Sequence, residues 1–302
     1  MKILIVGLGS IAKKHIAALK KLLPSCEIFA LRNGKDSKSY ENIIDLYNLQ
    51  DTSEQFDFAI ISNPTSQHAQ TIELLKSFAI PLFIEKPLFD TINYSELVQG
   101  ITNLGTKTYI ACNLRFLDSL QYLKSKLINR RINEVNVYCG SYLPDWRPDV
   151  DFRKVYSANK EQGGGVHIDL IHEIDYIVWL FGIPVDLKKT FLSQSSLNIS
   201  AFDYANYLFI YNEFCANIIL NYYRRDAKRT IEVVCEEGTF IVDLLKNTVT
   251  FNGEIIFKSN QKILDTYDSQ MSFFIDNLES QNEFIFNNIN EAYNILKLCL
   301  ED

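Results

Sequence analysis

The sequence predicts an α/β protein in two parts. A doubly wound parallel-sheet domain spans residues 1–117, and an α/β domain with a large, mostly antiparallel open sheet spans 118–302. Three observations predict it. Through the first 115 residues, short unbroken apolar runs alternate with helical patterns, as in a parallel sheet covered on both faces. The first of these runs passes directly into a glycine turn and a helix. Residues 186–257 then read as consecutive long strands with no helix among them, the pattern of a mostly antiparallel sheet.

The N-terminal strands are expected at 2–7 (KILIVG), 27–32 (EIFALR), 56–62 (FDFAIIS), 81–86 (PLFIEK) and 108–113 (TYIACN), with helices near 10–22, 39–48, 65–77 and 93–103. A six-stranded doubly wound sheet needs one strand more than these runs supply. Beyond residue 118 a helix (118–129) leads to the strand EVNVYCGSY, then to an irregular loop over 143–165 rich in Pro, Asp and Gly. A helix follows the three glycines Gly163, Gly164 and Gly165, and the strand-rich stretch comes next. Helical patterns near 266–280 and 288–301 close the chain.

The 302 residues suffice for two domains with their own cores. A formal net charge of −7 argues against nucleic acid or an anionic membrane as the main partner, and leaves room for a small anionic molecule at a locally basic site. The cysteines Cys26, Cys112, Cys139, Cys215, Cys235 and Cys299 form no CxxC pair and lie near no histidine at metal-ligand spacing, so no metal site is expected. Most of them sit in apolar runs as small hydrophobes, which fits a reducing, cytoplasmic setting. The run ILIV is too short for a secretory h-region, and no apolar stretch approaches the ~20 residues a spanning helix needs.

The stretch KILIVGLGSIAKKHIAAL matches G-x-G-x-x-A at Gly7, Gly9 and Ala12, placed at the first strand–helix junction. Gly7 makes the tight turn, Gly9 lets the backbone approach a pyrophosphate, and Ala12 permits close helix–strand packing. The N–H groups at Ser10 and Ile11 open the helix, where its positive dipole end favours phosphate. The domain therefore reads as a dinucleotide-binding Rossmann domain. After the second strand stands Arg32, with Lys35 nearby, where an NAD-selective site has an acid for the ribose hydroxyl. A guanidinium suits a 2′-phosphate, so NADP is expected ahead of NAD.

The fourth strand of the reading ends in Glu85-Lys86-Pro87, at the carboxyl edge where open α/β sheets bind ligands. In GLGSIAKKH, ISNPTSQHA, EKPL, NLRF and GGGVHIDLIHEID the chain resembles the glucose–fructose oxidoreductase, inositol dehydrogenase and rhizopine catabolism (Gfo/Idh/MocA) family. The resemblance implies a nucleotide-binding domain followed by an open-sheet domain, with Lys86 and the helix after the glycines lining the active site. It also implies assembly through the sheet, as a homodimer or homotetramer. Asn63 and Pro64 would border the cofactor, as would Glu85 and Lys86.

Family members place Asp and His four residues apart after the glycines; here Asp169 and His172 are three apart, which still puts both on one helix face. Ile168, Ile171, Ile174 and Val178 form the neighbouring apolar stripe. His172 is the expected acid/base, with an imidazole that ordinarily titrates near neutrality, and Asp169 orients it or binds a sugar hydroxyl. His167 is left unassigned, and His68 is read as structural. Asn113 and Arg115 end the last strand, within reach of cofactor or substrate. Trp146, Arg147, Arg153 and Tyr156 would suit a sugar carrying an anionic group; Tyr222, Arg224, Arg225 and Arg229 further on either add to that site or form a solvated basic strand end.

The expected function is NAD(P)-dependent hydride transfer at a secondary hydroxyl of a sugar or nucleotide sugar, catalysed by Lys86, Asp169 and His172. Two alternatives stand beside it. One is an enzyme that uses bound nicotinamide transiently for elimination or hydrolysis; the other is a non-catalytic nucleotide-binding sensor.

Overall fold

A computed structural model describes residues 1–32, 34, 40–279 and 287–300. The chain divides into two compact units: Met1–Asn113 with Tyr267–Lys297, and Leu114–Thr266 with the chain end from Leu298. The helical segment from Tyr267 thus returns to the first unit, whereas the sequence reading gave everything after residue 117 to the second.

In the first unit, β1 (Lys2–Val6), β2 (Glu27–Leu31), β3 (Ile44–Leu46), β4 (Phe58–Ile61), β5 (Leu82–Glu85) and β6 (Thr108–Ala111) form one sheet in the order β3-β2-β1-β4-β5-β6. Every pairing is parallel. The helices α1 (Ser10–Leu22), α2 (His68–Leu75) and α3 (Ser95–Asn103) follow β1, β4 and β5. β4, β5 and β6 are buried at every position, because cover on both faces leaves no polar side to alternate with. The sixth strand is β3, inside the stretch expected to be helical at 39–48. It has only Ile44, Asp45 and Leu46, and its register on Phe29–Leu31 of β2, not local periodicity, makes it a strand.

The two helices at the chain end are α7 (Thr266–Asp276) and α8 (Ile289–Leu300). Phe274 of α7 packs edge-on against Phe58 and Phe83, so α7 covers β4 and β5. Asn287 accepts from Ile110 N at its carbonyl and donates from its side chain to Ile110 O, which satisfies the outer edge of β6.

In the second unit, α4 (Asp118–Lys126) precedes β7 (Ile132–Tyr142), and a series of short 3₁₀ turns carries the chain through the loop after it. The segment after the glycines is two helices, a single turn α5 (Val166–Asp169) and then α6 (Ile171–Phe181). Next come β8 (Asp186–Leu192), β9 (Tyr204–Ile210), β10 (Cys215–Asn221), β11 (Tyr223–Cys235), β12 (Gly238–Asp243), β13 (Thr248–Phe251) and β14 (Glu254–Lys258). The sheet order is β14-β13-β12-β11-β7-β10-β9-β8. Only β7 and β10 run parallel; the other pairings are antiparallel.

Burial alternates along β9, with Ala205, Tyr207 and Phe209 inside and Tyr204, Asn206, Leu208 and Ile210 half-exposed. The inner face meets α5 at β9 and β10 and α4 at β12, β13 and β14. The outer face mixes apolar and polar side chains. One register row across it runs Leu208, Asn217, Asn136, Glu232, Ile241, and within it Asn136 Nδ2 donates to Glu232.

Arg115, expected at a ligand, lies in the core of this unit with no exposure. Its Nε and Nη2 donate to the two carboxylate oxygens of Asp175 on α6 at 2.9 and 2.7 Å. The ion pair fastens the 3₁₀ turn Asn113–Phe116 to α6, so the residue is structural. Removing one partner leaves the other charge buried. Arg115→Met is expected to lower the unfolding free energy by roughly 3–5 kcal/mol, read by urea denaturation. The double replacement R115M/D175L is expected to recover most of that loss.

Candidate functional site

At the carboxyl end of β1, Gly7 adopts φ +92°. A Cβ there would lie 2.4 Å from Asn63 N and 2.5 Å from its Cα. The turn after β1 therefore passes against the end of β4 with no room for a side chain. This is the point where the strand order reverses, the usual ligand crevice of such sheets. Ser62 Oγ donates to Gly7 O at 2.8 Å and holds the two ends together.

Gly9, the N-cap of α1, differs: a Cβ built on it would meet nothing within 4 Å. The fold itself does not require glycine there. A ligand drawn close to the backbone would, and a pyrophosphate suits a helix start whose first turn carries no acidic side chain. Ser10 is exposed, Ile11 half-buried and Ala12 fully buried against the sheet.

The same strand ends hold the other expected cofactor residues. Asn63 Nδ2 donates to Thr71 Oγ1 at 2.8 Å, and its Oδ1 is buried with no hydrogen-bond partner among the described residues, an acceptor suited to a bound hydroxyl. Pro64 is exposed. Both ring nitrogens of His68 stand 3.1 Å from carbonyls, of Leu88 and Asn63, so this imidazole ties the loop after β5 to the end of β4. Burial lowers its pKa, and the neutral ring donates to one carbonyl at a time. Asn113 is buried.

Glu85 differs from expectation. Its side chain is buried, with Oε1 held at 2.5 Å by Nε2 of the fully buried His15 on α1 and Oε2 accepting from Lys86 N at 3.2 Å. It braces α1 against the end of β5. Lys86 itself is half-buried, and the cis peptide to Pro87 follows it. Arg32 is also committed within the chain. Its Nη1 donates to Asp45 Oδ1 on β3 at 2.6 Å, and the pair is largely buried. Lys35 lies outside the described residues.

In the second unit, the break between α5 and α6 falls at Leu170 (φ −100°, ψ 29°), between Asp169 and His172. Stacking of these two residues on one continuous helix face, as expected from their spacing, does not hold, because the backbone is redirected between them. The isoleucine stripe does: Ile168, Ile171, Ile174 and Val178 are all buried. The remaining acids of the motif are consumed structurally. Asp175 pairs with Arg115, and Glu173, with no exposure, accepts from Arg229 Nε at 2.6 Å. His167 is a core histidine between Phe191 and Phe202, and burial, with the Lys189 charge second, holds its pKa down at about 4. Asp169 and His172 are half-buried.

Asp169 Oδ2 accepts from Tyr222 Oη at 2.5 Å. Trp146 meets the Tyr222 ring edge-on at 5.4 Å and donates from Nε1 to Ser141 Oγ. Trp146, Arg147 and Tyr156 are exposed on the loop before the glycines. A Cβ on Gly164 would lie 2.0 Å from Tyr156 O, so glycine is what lets α5 begin against that loop. Arg225 is exposed over the Tyr142 ring, and Arg224 is bound to Asp226.

Known proteins share this architecture. Residues 1–107 match the oxidoreductase family with an NAD-binding Rossmann fold, and residues 120–241 match the GFO/IDH/MocA C-terminal domain. The chain belongs to the Gfo/Idh/MocA oxidoreductase family. Inositol 2-dehydrogenase of Rhizobium meliloti (strain 1021) is 23% identical over 194 residues, 62% of this chain and 57% of that protein, so the match spans less than two thirds of the relative's length.

Among solved structures, UDP-N-acetylglucosamine 3-dehydrogenase GnnA from Acidithiobacillus ferrooxidans superposes with a TM-score of 0.80 at 18% identity, covering 100% of this chain and 96% of its own. The WlbA dehydrogenase from Bordetella pertussis, in complex with NADH and UDP-GlcNAcA, gives 0.78 at 16% identity over 99% and 93%. At these identities the likeness is one of fold. Among the described residues, no helix is long and apolar enough to cross a membrane and no cluster of His, Cys, Asp or Glu is arranged to hold a metal.

Sequence reasoning missed His15, Asp45 and the tie between Tyr222 and Asp169. The signal for His15 was its place on the buried stripe of α1 with Ala12, Ala18 and Leu19. The two glycines of the first turn make a paired test. Gly7→Ala is expected to lower the thermal midpoint by several degrees, because backbone must move to admit the methyl group. Gly9→Ala is expected to leave the midpoint unchanged and to weaken NAD binding in calorimetric titration.

Proposed function

We propose that the protein is an NAD-dependent dehydrogenase acting on a secondary hydroxyl of a sugar or nucleotide sugar. The observation that carries this is the glycine turn between β1 and α1, at the point where the strand order reverses, in a chain that belongs to an oxidoreductase family with an NAD-binding Rossmann fold. Asp169 and His172 stand half-buried, at the positions that the family resemblance gives to catalysis.

The nucleotide would be held by the Gly7–Ile11 turn and the end of β4 at Asn63 and Pro64. When bound, nicotinamide supplies or takes up the hydride. The family resemblance gives His172 the part of general base for the hydroxyl proton and Lys86 that of a donor that stabilises developing negative charge. Asp169 orients the sugar or His172. The exposed Trp146, Arg147 and Tyr156 offer an aromatic face and a guanidinium to an anionic or nucleotide-bearing sugar. NAD is favoured over NADP on the ground that Arg32 is already engaged by Asp45.

A screen of the purified protein decides these points. UDP-N-acetylglucosamine and myo-inositol are offered with NAD and NADP in parallel, and the near-ultraviolet absorbance of the reduced cofactor is followed. The expected result is turnover with NAD. His172→Ala and Lys86→Ala are each expected to reduce kcat by roughly 10²–10⁴-fold while NAD still binds. Near-normal turnover in either variant, or tighter binding of NADP, would overturn the corresponding assignment.

The outer face of the large sheet is proposed to join copies of the chain as a homodimer or homotetramer. Support comes from Leu208, Ile219 and Ile241 standing among amides and carboxylates on an uncovered face. Light scattering at micromolar concentration is expected to give at least the dimer mass; a monomer there defeats the assignment.

A further inference from the structure

Tyr222 takes no part in the reaction as drawn, yet its environment is tightly determined. The ring has no exposure. The backbone on both sides is tied down where β10 ends and β11 begins: Tyr222 N donates to Asp203 O at 3.0 Å, and Tyr222 O accepts from Leu143 N at 2.8 Å. Trp146 closes over one edge of the ring. Within this frame the phenol has little freedom, and its oxygen reaches Asp169 Oδ2 at 2.5 Å. Burial, followed by the charge of Asp169, holds the phenol well above the ordinary tyrosine range. It is therefore protonated wherever the protein is folded at ordinary pH, and it acts only as a donor toward the carboxylate.

Asp169 needs such a partner. It is the last residue of a single helical turn, and Leu170 after it leaves helical geometry. A side chain at the end of so short an element is not aimed by the helix. The start of that turn is set by the close passage of Gly164 against Tyr156 O.

We propose that Tyr222 is a positioning residue that acts through Asp169, its phenol holding the Asp169 carboxylate in the orientation turnover requires. The inference rests on the assignment of Asp169 to the reaction. The plain alternative is that Asp169 serves Tyr222, by giving a buried hydroxyl the acceptor it needs.

The two directions separate in Tyr222→Phe, Asp169→Asn and the double variant, all made in the full chain. Tyr222→Phe keeps the ring and its contact with Trp146 and removes one oxygen. The kinetic probe is UDP-N-acetylglucosamine with NAD, and the structural probe is a crystal structure of Tyr222→Phe beside the unaltered protein.

Positioning predicts that Tyr222→Phe lowers kcat by roughly 10–100-fold, the loss of one charge-assisted hydrogen bond, with NAD affinity little changed. It predicts further that the double variant is no slower than Asp169→Asn alone, because the phenol has nothing left to act through. In the crystal the Asp169 carboxylate is expected in a changed rotamer.

Unchanged kcat in Tyr222→Phe, multiplicative losses in the double variant, or an Asp169 carboxylate unmoved in the crystal would each overturn the proposal. Full turnover in Asp169→Asn would instead remove Asp169 from the reaction and defeat the functional reading beneath it. If the unaltered protein does not oxidise this probe, the nucleotide-sugar assignment fails, and the carboxylate position in the crystal alone decides for or against Tyr222.

Discussion

The helix from Ile171 to Phe181 carries two carboxylates, Glu173 and Asp175, with almost no exposure, and each is met by an arginine from a distant part of the chain. A buried charge is tolerable only when paired and hydrogen-bonded. That constraint organises the second unit. Arg115 brings the turn after β6 to the helix, and Arg229 brings β11 to it. The motif after the glycines also holds the core imidazole of His167 and the half-buried side chains of Asp169 and His172.

The first unit meets the same constraint with different partners. His15 and Glu85 form a buried pair between α1 and the end of β5, and His68 bridges the backbone at the ends of β4 and β5. These contacts lie beside Gly7, Asn63 and Lys86, the residues expected to meet ligands. A crevice at the ends of parallel strands consists of loops, and loops keep a defined geometry only where their polar backbone is tied to something rigid. The two histidines supply such ties at the ends of β4 and β5.

How much of this was legible varies from element to element. Five of the six strands of the parallel sheet follow from unbroken apolar runs, and α1 begins at Ser10 as the glycine pattern requires. β3 did not follow, since three residues hold no period and only the neighbouring strand makes them extended. The closing helices were seen, but not that α7 would cover β4 and β5, because an apolar stripe states that a surface must be buried without saying against what. Arg32, Glu85 and Arg115 were each read as facing ligands and are each paired within the chain.

Local order fixes what depends on neighbours in the chain. By itself the sequence determined the alternation of strand and helix, the glycine turn with its φ-positive Gly7, the lysine at a strand end, and the apolar stripe of α6. Whether a polar side chain stands ready for a ligand depends on which opposite charge or donor the fold brings to it from dozens of residues away. Tertiary structure alone therefore decided that Asp175 and Glu173 are consumed by arginines, that Asp45 holds Arg32, that the helix breaks at Leu170, and that Tyr222 reaches Asp169. A charge or hydroxyl removed from water needs a partner in space, and one-dimensional spacing does not say where that partner is.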